Sequence, residues 1–402
     1  MAKVIVVGAG PAGIMAALSS SKNNEVVLIE RNSQIGAKLK LTGGGRCNIT
    51  NNRDIEEFFD KIVTNNKFLY SALYTFSNYS LLEYFSEHGL EYKEEQDQKI
   101  YTKSDKADEV IKVLKNDLIA NNITIKYNTK IEDLIVEDGE IKGIITEDRH
   151  KILGDKIIIA TGGKSFPDTG SDGFMYDVLK KYGHTITPIY PALIPLVIKE
   201  EFVKSLQGIS MKNVVISAKV KKKKIEKTGD MIFTHFGISG PGVLKISSYI
   251  NKALADGEVQ IILDFVKDKS REQLSQIIRS NPSKTALNNL RGILPQNFLK
   301  EIFNLLGLSE IKGSDLKKED ENKIIEYIKE MKLTARETLT IKAAQVTSGG
   351  ISVKEINAST MESKIIRNLY FAGEVIDIDA ETGGYNLQMA FSTGYLAGSS
   401  LD

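Results

Sequence analysis

The 402-residue sequence is poor in the residues that build disulfides and metal sites: it has one cysteine, Cys47, and four histidines. A single thiol excludes an intramolecular disulfide framework, a cysteine-based zinc site and a C-x-x-C redox pair within the chain. The histidines are scattered and have no partner motif, so we predict no metal site. The shortage of cysteine is typical of a reducing compartment, and we expect a cytoplasmic setting.

The chain also lacks an excess of either charge, since 53 Lys and Arg against 52 Asp and Glu give a net charge of +1. We therefore expect a small-molecule substrate rather than a nucleic acid or a membrane surface as partner. The one basic run, at 221–224, is interpreted as the solvated tip of a hairpin. No apolar run reaches the ~18 residues of a membrane span. Nothing in the sequence indicates the oligomeric state.

The N-terminal segment carries the strongest local pattern. Four apolar residues, 4–7, lead into Gly8-Ala9-Gly10-Pro11-Ala12-Gly13, and Glu30 follows a second apolar run at 26–29. This order of strand, glycine turn, helix, strand and acid is the dinucleotide fingerprint. Gly8 makes the tight turn, Gly10 leaves room for a pyrophosphate, and Gly13 lets the helix pack closely on the sheet. Glu30 can accept hydrogen bonds from ribose hydroxyls.

Three further segments favour FAD over NAD as the nucleotide. Arg31 follows the acid, and a glycine-rich loop at 42–48 with Lys38 and Arg46 nearby indicates a second phosphate-binding element. The strand ending at Thr161-Gly162-Gly163 resembles the "ATG" strand of flavoproteins with two dinucleotide folds. A terminal Gly373-Glu374 motif precedes Gly384-Tyr385-Asn386-Leu387, which opens the last helix. The N-terminus of that helix would stabilise negative charge on the reduced flavin.

Proline spacing and patterning predict the division of the chain. Prolines 188, 191 and 195 mark a boundary, after which strand-like alternation begins, and residues 270–332 are helical and charged. Within the first part, Ser80-Leu81-Leu82-Glu83 predicts a capping box at a helix start. Asp138-Gly139 predicts a hairpin turn.

Taken together, these segments resemble one family almost from end to end. The chain is similar to the BaiN/YhiN-like, or aminoacetone-oxidase-type, FAD-dependent oxidoreductases. The most specific motifs are Gly43-Gly44-Gly45-Arg46-Cys47-Asn48-Ile49-Thr50-Asn51, Ala160-Thr161-Gly162-Gly163-Lys164-Ser165, Thr234-His235-Phe236-Gly237-Ile238-Ser239-Gly240-Pro241, Thr347-Ser348-Gly349-Gly350, and the stretch from Ala372 to Gln388. The chain departs from the family at Lys99 and Thr102, where arginine and proline are more usual, so specificity can differ here.

The resemblance implies an α/β fold: a Rossmann-type FAD domain of the two-dinucleotide-fold class, a β-rich insert and a small helical module. The expected domains are 1–190 with 345–402 for FAD, 191–269 with 333–344 for the insert, and 270–332 for the module. The residues expected to bind the cofactor are Gly8, Gly10, Pro11, Ala12, Gly13, Glu30, Arg31, Lys38, Thr42, Gly43, Gly44, Arg46, Cys47, Asn48, Ile131, Thr161, Gly162, Gly373, Glu374, Gly384, Tyr385, Asn386 and Leu387.

Two side chains are weak candidates for chemistry beyond the cofactor. His235 stands in a glycine-rich loop and could donate or accept a proton, but a loop histidine hydrogen-bonded to backbone is the favoured interpretation. Cys47 could be redox-active next to a flavin. Packing is favoured, because the chain has no second cysteine to resolve a disulfide.

The predicted function is hydride or electron-pair transfer between a small organic substrate and flavin N5. NAD(P)H, binding transiently, or oxygen would be the second substrate. Two alternatives stay open: a flavoprotein that modifies tRNA, and a flavin-binding sensor without catalysis.

Overall fold

The computed structural model describes residues 1–401, which form two compact units. The first unit comprises Met1–Tyr190 and the C-terminal segment that starts at Ile341; the second is Pro191–Thr340. The first boundary falls within the proline-marked segment. Among residues 1–401, no helix combines the length and the apolarity that a membrane span requires.

A five-stranded parallel sheet forms the centre of the first unit. Its strands, in spatial order, are Leu369–Phe371, Lys156–Ile159, Lys3–Val7, Glu25–Ile29 and Thr124–Lys126. The central strand is buried on both faces, which is why it appears in the sequence as a continuous apolar run rather than an alternating one. One edge strand comes from near the C-terminus, so both ends of the chain build this sheet.

The first and last helices of the first unit, Pro11–Ser20 and Tyr385–Ser399, pack closely against each other. A Cβ built on Gly394 would overlap the carbonyl oxygen of Ala12, and one on Gly398 would overlap that of Ala16. The two glycines of the last helix therefore allow its backbone to approach the first helix.

Smaller sheets and helices complete this unit. The Asp138-Gly139 turn joins two antiparallel strands, as predicted. The predicted cap at Ser80 is wrong: Ser77 is the N-cap, and its Oγ accepts a hydrogen bond from the Ser80 backbone N–H at 3.2 Å. The remaining strands are Asn48–Asn51, Ile62–Thr64, Tyr92–Glu95, Lys99–Thr102, Ile131–Glu137, Glu140–Thr146, Lys151–Leu153, Val346–Ser348 and Asp379–Ala380, and the remaining helices are Ile55–Phe59, Tyr70–Thr75, Asn78–Glu87, Ala107–Ala120 and Phe174–Lys181.

The second unit is built on a closed antiparallel barrel. Its strands, in spatial order, are Leu196–Ile198, Gly237–Ser239, Lys223–Phe233, Ser210–Val220, Val259–Asp264 and Met331–Thr338. The two longest strands pair directly, and the turn between them lies inside the basic run, as the sequence predicts. A short strand, Tyr190–Ala192, precedes the barrel in the chain.

Helices cover the barrel of the second unit, and its core is continuous. Segment 270–332, predicted as a separate module, shares one hydrophobic cluster with the barrel: Phe298 of the segment stacks on Phe233 of a barrel strand at 6.2 Å between ring centroids. The structure therefore places this segment in the same compact unit as the barrel. The helices are Pro241–Asp256, Arg271–Ile278, Ala286–Asn289, Gln296–Leu305 and Lys318–Lys329.

Candidate functional site

A cleft that is partly open to solvent lies at the carboxyl ends of the parallel strands in the first unit. This is the edge at which open α/β sheets bind ligands. Many residues expected to bind the cofactor line it: Gly10, Pro11, Ala12, Glu30, Arg31, Lys38, Thr42, Ile131, Thr161, Gly162, Gly373, Glu374, Asn386 and Leu387. The sequence ranges 10–42 and 373–387 thus meet around one cavity.

The three fingerprint glycines have different surroundings. A Cβ built on Gly10 would find no heavy atom within 4 Å, whereas one on Gly8 would lie 2.5 Å from the Ala160 carbonyl oxygen. A Cβ on Gly13 would overlap the Gly8 carbonyl oxygen. Gly8 and Gly13 therefore serve packing, and Gly10 alone faces open space in the cleft. This is the division of roles that a bound pyrophosphate requires.

Glu30 is buried at the end of its strand and held by backbone groups. Its Oε2 accepts from the Ala9 N–H and its Oε1 from the Asn32 N–H, each at 2.8 Å. Burial raises the pKa of Glu30 above its ordinary value, and the hydrogen bonds from Asn32 and Ala9 and the charge of Arg31 only partly offset this. The carboxyl group is thereby fixed in the cleft wall.

An ion pair joins the two ends of the chain inside the cleft. Lys38 Nζ lies 2.6 Å from Glu374 Oε2 and 2.6 Å from Ser165 Oγ. Glu374 Oε1 also accepts from the Thr347 backbone N–H at 2.7 Å. Burial alone would raise the pKa of Glu374, but the Lys38 ammonium and these hydrogen bonds outweigh it and hold that pKa below its usual range.

Segment 169–175 forms a cleft wall that no motif in the sequence indicates. Gly170 and Gly173 have positive φ angles of 98° and 77°, so the segment turns tightly. Arg31 donates to Asp172 Oδ2 at 2.6 Å and to the Gly170 carbonyl at 3.2 Å, which ties the segment to the residue after Glu30. The signal available in the sequence was the glycine-flanked polar turn Gly170-Ser171-Asp172-Gly173.

Two buried hydroxyl groups in the cleft have no hydrogen-bond partner in the described protein: Thr161 Oγ1 and Ser171 Oγ. Buried polar groups are normally satisfied, so such a pair fits a ligand that carries polar atoms of its own. Together with the open space at Gly10 and the carboxyl of Glu30, they fit the FAD that the motifs imply.

Several expected cofactor residues do not line the cleft: Gly8, Gly13, Gly43, Gly44, Arg46, Cys47, Asn48, Gly384 and Tyr385. Some of these hold the cleft in place. A Cβ on Gly384 would overlap the backbone of Thr50, and the Tyr385 ring meets Phe58 edge-on at 5.0 Å. These contacts fix the start of the last helix, whose residues Asn386 and Leu387 do line the cleft.

Arg46 was expected at a phosphate, but it already has protein partners. Its guanidinium pairs with Glu95 and, at 2.6 Å, with Asp105, and it lies over the Tyr101 ring at 4.2 Å. The adjoining loop needs support, because Gly43, Gly44, Gly45 and Cys47 all have positive φ. Arg46 therefore acts as a brace of this loop.

Replacing Arg46 with alanine should raise amide hydrogen exchange in segment 43–47 with little change in global stability, since the Arg46 side chain is 35% exposed. Lysine keeps the charge but loses the planar fork, so Arg46→Lys should give an intermediate rate. Exchange followed by mass spectrometry measures both. An unchanged rate in the alanine variant would show that the loop holds its shape without this side chain.

Cys47 is fully buried, and burial raises the pKa of its thiol to about 12, with a smaller opposing contribution from Thr42. The thiol is therefore protonated at neutral pH, which favours the packing interpretation.

Native protein should react with Ellman's reagent at least ~100-fold more slowly than urea-unfolded protein. The chain has one thiol, so the absorbance reports Cys47 alone. Fast labelling of folded protein would contradict this.

His235 lies in the barrel unit, where its exposed ring meets Phe236 edge-on at 5.0 Å between centroids. Its catalytic role stays a prediction.

Among residues 1–401, no group of three or more His, Cys, Asp or Glu side chains is placed to hold a metal ion.

Comparison with known proteins identifies the family. The model described as "HI0933-like protein Rossmann domain" matches residues 2–400. The 3-dehydro-bile acid Δ(4,6)-reductase of Clostridium scindens is 33% identical, over 99% of this chain and 98% of its own. The ribosomal RNA dihydrouridine synthase of Escherichia coli is 27% identical, over 99% of this chain and 97% of its own.

A solved structure extends the similarity to the fold. The 3-ketosteroid-Δ4-(5α)-dehydrogenase of Rhodococcus jostii RHA1 aligns with a TM-score of 0.53 over 100% of this chain and 96% of its own, at 14% identity. Identity this low shows the fold alone, which is a Rossmann-type domain with a β-rich insert. The chain belongs to the HI0933-like family of FAD-dependent oxidoreductases.

Proposed function

We propose that this chain binds FAD in the cleft and reduces a carbon–carbon double bond conjugated to a carbonyl group. The two full-length relatives are named for such reductions: one acts on a 3-oxo steroid with double bonds at positions 4 and 6, the other on the uracil ring. The chemistry that the two names share supports the proposal, and neither substrate is transferred with it. Family membership favours an enzyme over the flavin-binding sensor.

The residues of the cleft have distinct parts in this proposal. Bound FAD would supply a two-electron carrier that exchanges hydride at N5. The Glu30 carboxylate accepts hydrogen bonds from a ribose, and the free N–H groups that begin helix Pro11–Ser20 receive a pyrophosphate. The N-terminus of helix Tyr385–Ser399 stabilises negative charge close to Asn386 and Leu387.

The cleft walls also serve hydride chemistry by keeping water away. Their apolar members include Val7, Ile29, Leu39, Met175, Val346, Ile378, Leu387 and Met389. Exclusion of water strengthens the electrostatic interactions of the cleft and protects a reactive hydride donor from side reactions. The relatives give no support to NAD(P)H as the reductant, so NAD(P)H and oxygen stay predictions from the sequence.

The observation that carries this proposal is the cleft itself, in which the open position at Gly10, the fixed Glu30 carboxyl and two unpartnered hydroxyls converge. The test begins with purified protein, whose released cofactor is identified by chromatography. The reduced holoprotein is then mixed without oxygen with a 3-oxo-4,6-diene steroid, uridine or an unmodified ribosomal RNA transcript. The corresponding saturated compounds are the controls.

We expect FAD in the released fraction and reoxidation of the flavin by at least one conjugated compound and by no saturated control. Protein that carries no FAD and takes up none would contradict the cofactor assignment. Holoprotein that is reoxidised by none of the conjugated compounds would contradict the reaction class.

A further inference from the structure

The two units differ in charge, and the net charge of the whole chain conceals this. Segment 191–340 contains 25 Lys and Arg against 18 Asp and Glu, so the remainder of the chain has an excess of acidic residues. The expectation that nucleic acid is not a partner came from the net charge of +1. A charge asymmetry within a chain is instead typical of proteins in which one part binds a polyanion.

The excess is concentrated on the longest hairpin of the barrel, Ser210–Val220 with Lys223–Phe233. It carries seven lysines and two acidic residues, Glu226 and Asp230. Six of the lysines are exposed, and five of those six, Lys219 and the run 221–224, surround the turn. We call these five residues the basic tip.

The lysines of the basic tip occupy positions that are unfavourable for a stable hairpin. Lys219 and Lys224 are directly opposed across the strands, an arrangement of like charges that destabilises a sheet. Lys221 takes a positive φ of 54°, where a hairpin turn prefers Asn, Asp or Gly. The other hairpin noted above uses the favourable pair Asp138-Gly139 in the equivalent place. Among the tip lysines, and within residues 1–401, Lys224 is the one with an acidic partner close by, Glu226 Oε2 at 2.7 Å.

We propose that the basic tip binds the phosphate backbone of a structured RNA. Lysine side chains clustered at an exposed turn neutralise successive phosphates without reading sequence. The choice of RNA rests on the proposed function, because a uracil ring carries the conjugated double bond in question and a full-length relative acts on ribosomal RNA. Binding of phosphates then explains why lysines occupy positions that turn and strand preferences disfavour.

The test measures binding of the FAD-loaded full chain to a fluorescently labelled, unmodified ribosomal RNA transcript over a series of salt concentrations. The tip variant replaces lysines 221–224 with glutamine. The matched control replaces Lys284, Lys300, Lys312 and Lys317, four exposed lysines of the same unit, with glutamine. Each phosphate contact contributes about 0.7 to 0.9 to the slope of log affinity against log salt. For the tip variant, we expect the slope of log affinity against log salt to be shallower by about 3 and the affinity to be at least ~10-fold lower. The control should bind like wild type.

Two outcomes would overturn the proposal that the basic tip binds RNA. One is a tip variant that binds the transcript with the affinity and salt slope of wild type. The other is a wild-type chain that binds phosphatidylserine vesicles but not the transcript. FAD content and reoxidation by a small conjugated ketone are measured on the same preparations. If the chain binds RNA through the basic tip yet reduces no conjugated compound, the proposed function is refuted, and the proposal that the basic tip binds RNA is retained.

Discussion

Gly13→Ala is expected to destabilise the first unit strongly, whereas Gly10→Ala is expected to leave its stability nearly unchanged and to weaken FAD binding. The reason is the space around each α-carbon. A methyl group on Gly13 would overlap the Gly8 carbonyl oxygen and lie 3.3 Å from the Ala160 Cβ, so the helix would have to move off the sheet. A methyl group on Gly10 meets no heavy atom within 4 Å, and its φ of −81° suits alanine.

The expected sizes follow from these contacts. Overpacking against rigid backbone costs about 3 kcal/mol of unfolding free energy for Gly13→Ala. Gly10→Ala should change that free energy by less than ~1 kcal/mol. In the proposed complex, its methyl group would fill the space left for the pyrophosphate and lower FAD affinity at least ~10-fold. Urea unfolding of the apoprotein and FAD titration by flavin fluorescence separate the two effects. Equal FAD affinity of Gly10→Ala and wild type would place the pyrophosphate elsewhere.

Much of the nucleotide-binding architecture could be predicted because it depends on local patterns. The apolar run at 4–7, the glycine turn at 8–13 and the acid at position 30 all lie within the first 30 residues, and each has one physical function. The contribution of strand Leu369–Phe371 to the same sheet was predictable only through its motif, since nothing in three apolar residues specifies a neighbour. The hairpin at Asp138-Gly139 was predictable because that dipeptide suits positive φ.

The rest depends on contacts between distant residues. Closure of the barrel requires strand Leu196–Ile198 to pair with Met331–Thr338, and no local pattern encodes a pairing over that separation. The role of Arg46 as a brace of its loop depends on Glu95 and Asp105, which lie 49 and 59 residues further along the chain. Segment 169–175 was missed because it has no periodicity; its place in the cleft depends on Arg31.

The Lys38–Glu374 pair gives a prediction that depends on pH. Lys38→Met removes the cation and leaves only the hydrogen bonds from Thr347 and Ser165 to offset the burial of Glu374. We expect a loss of about 2 kcal/mol in unfolding free energy at pH 7. This is below the ~3–5 kcal/mol typical of a fully buried pair, because the two side chains keep 22% and 20% of their surface exposed. The double variant Lys38→Met with Glu374→Gln should recover much of the loss, since no unpaired charge remains.

The sign of the pH dependence follows from the direction of the pKa shift. In wild type the pKa of Glu374 is lowered, so the pair stabilises the fold above the unfolded-state pKa and this contribution is lost as pH falls through the folded-state value. In Lys38→Met burial raises that pKa instead, and protonation relieves the cost. The gap between the variant and wild type should therefore be widest near pH 7 and should close towards pH 4.

The matched control for this pair is Lys40→Met, which removes the exposed Lys40–Asp108 pair at 2.9 Å. Its cost should stay below ~1 kcal/mol. Urea unfolding at several pH values, with and without saturating FAD, measures all four proteins. A Lys38→Met deficit that is the same at pH 4 and pH 7 would mean that Lys38 stabilises the fold through packing of its stem. The charge of Glu374 would then play no part in joining the two ends of the chain.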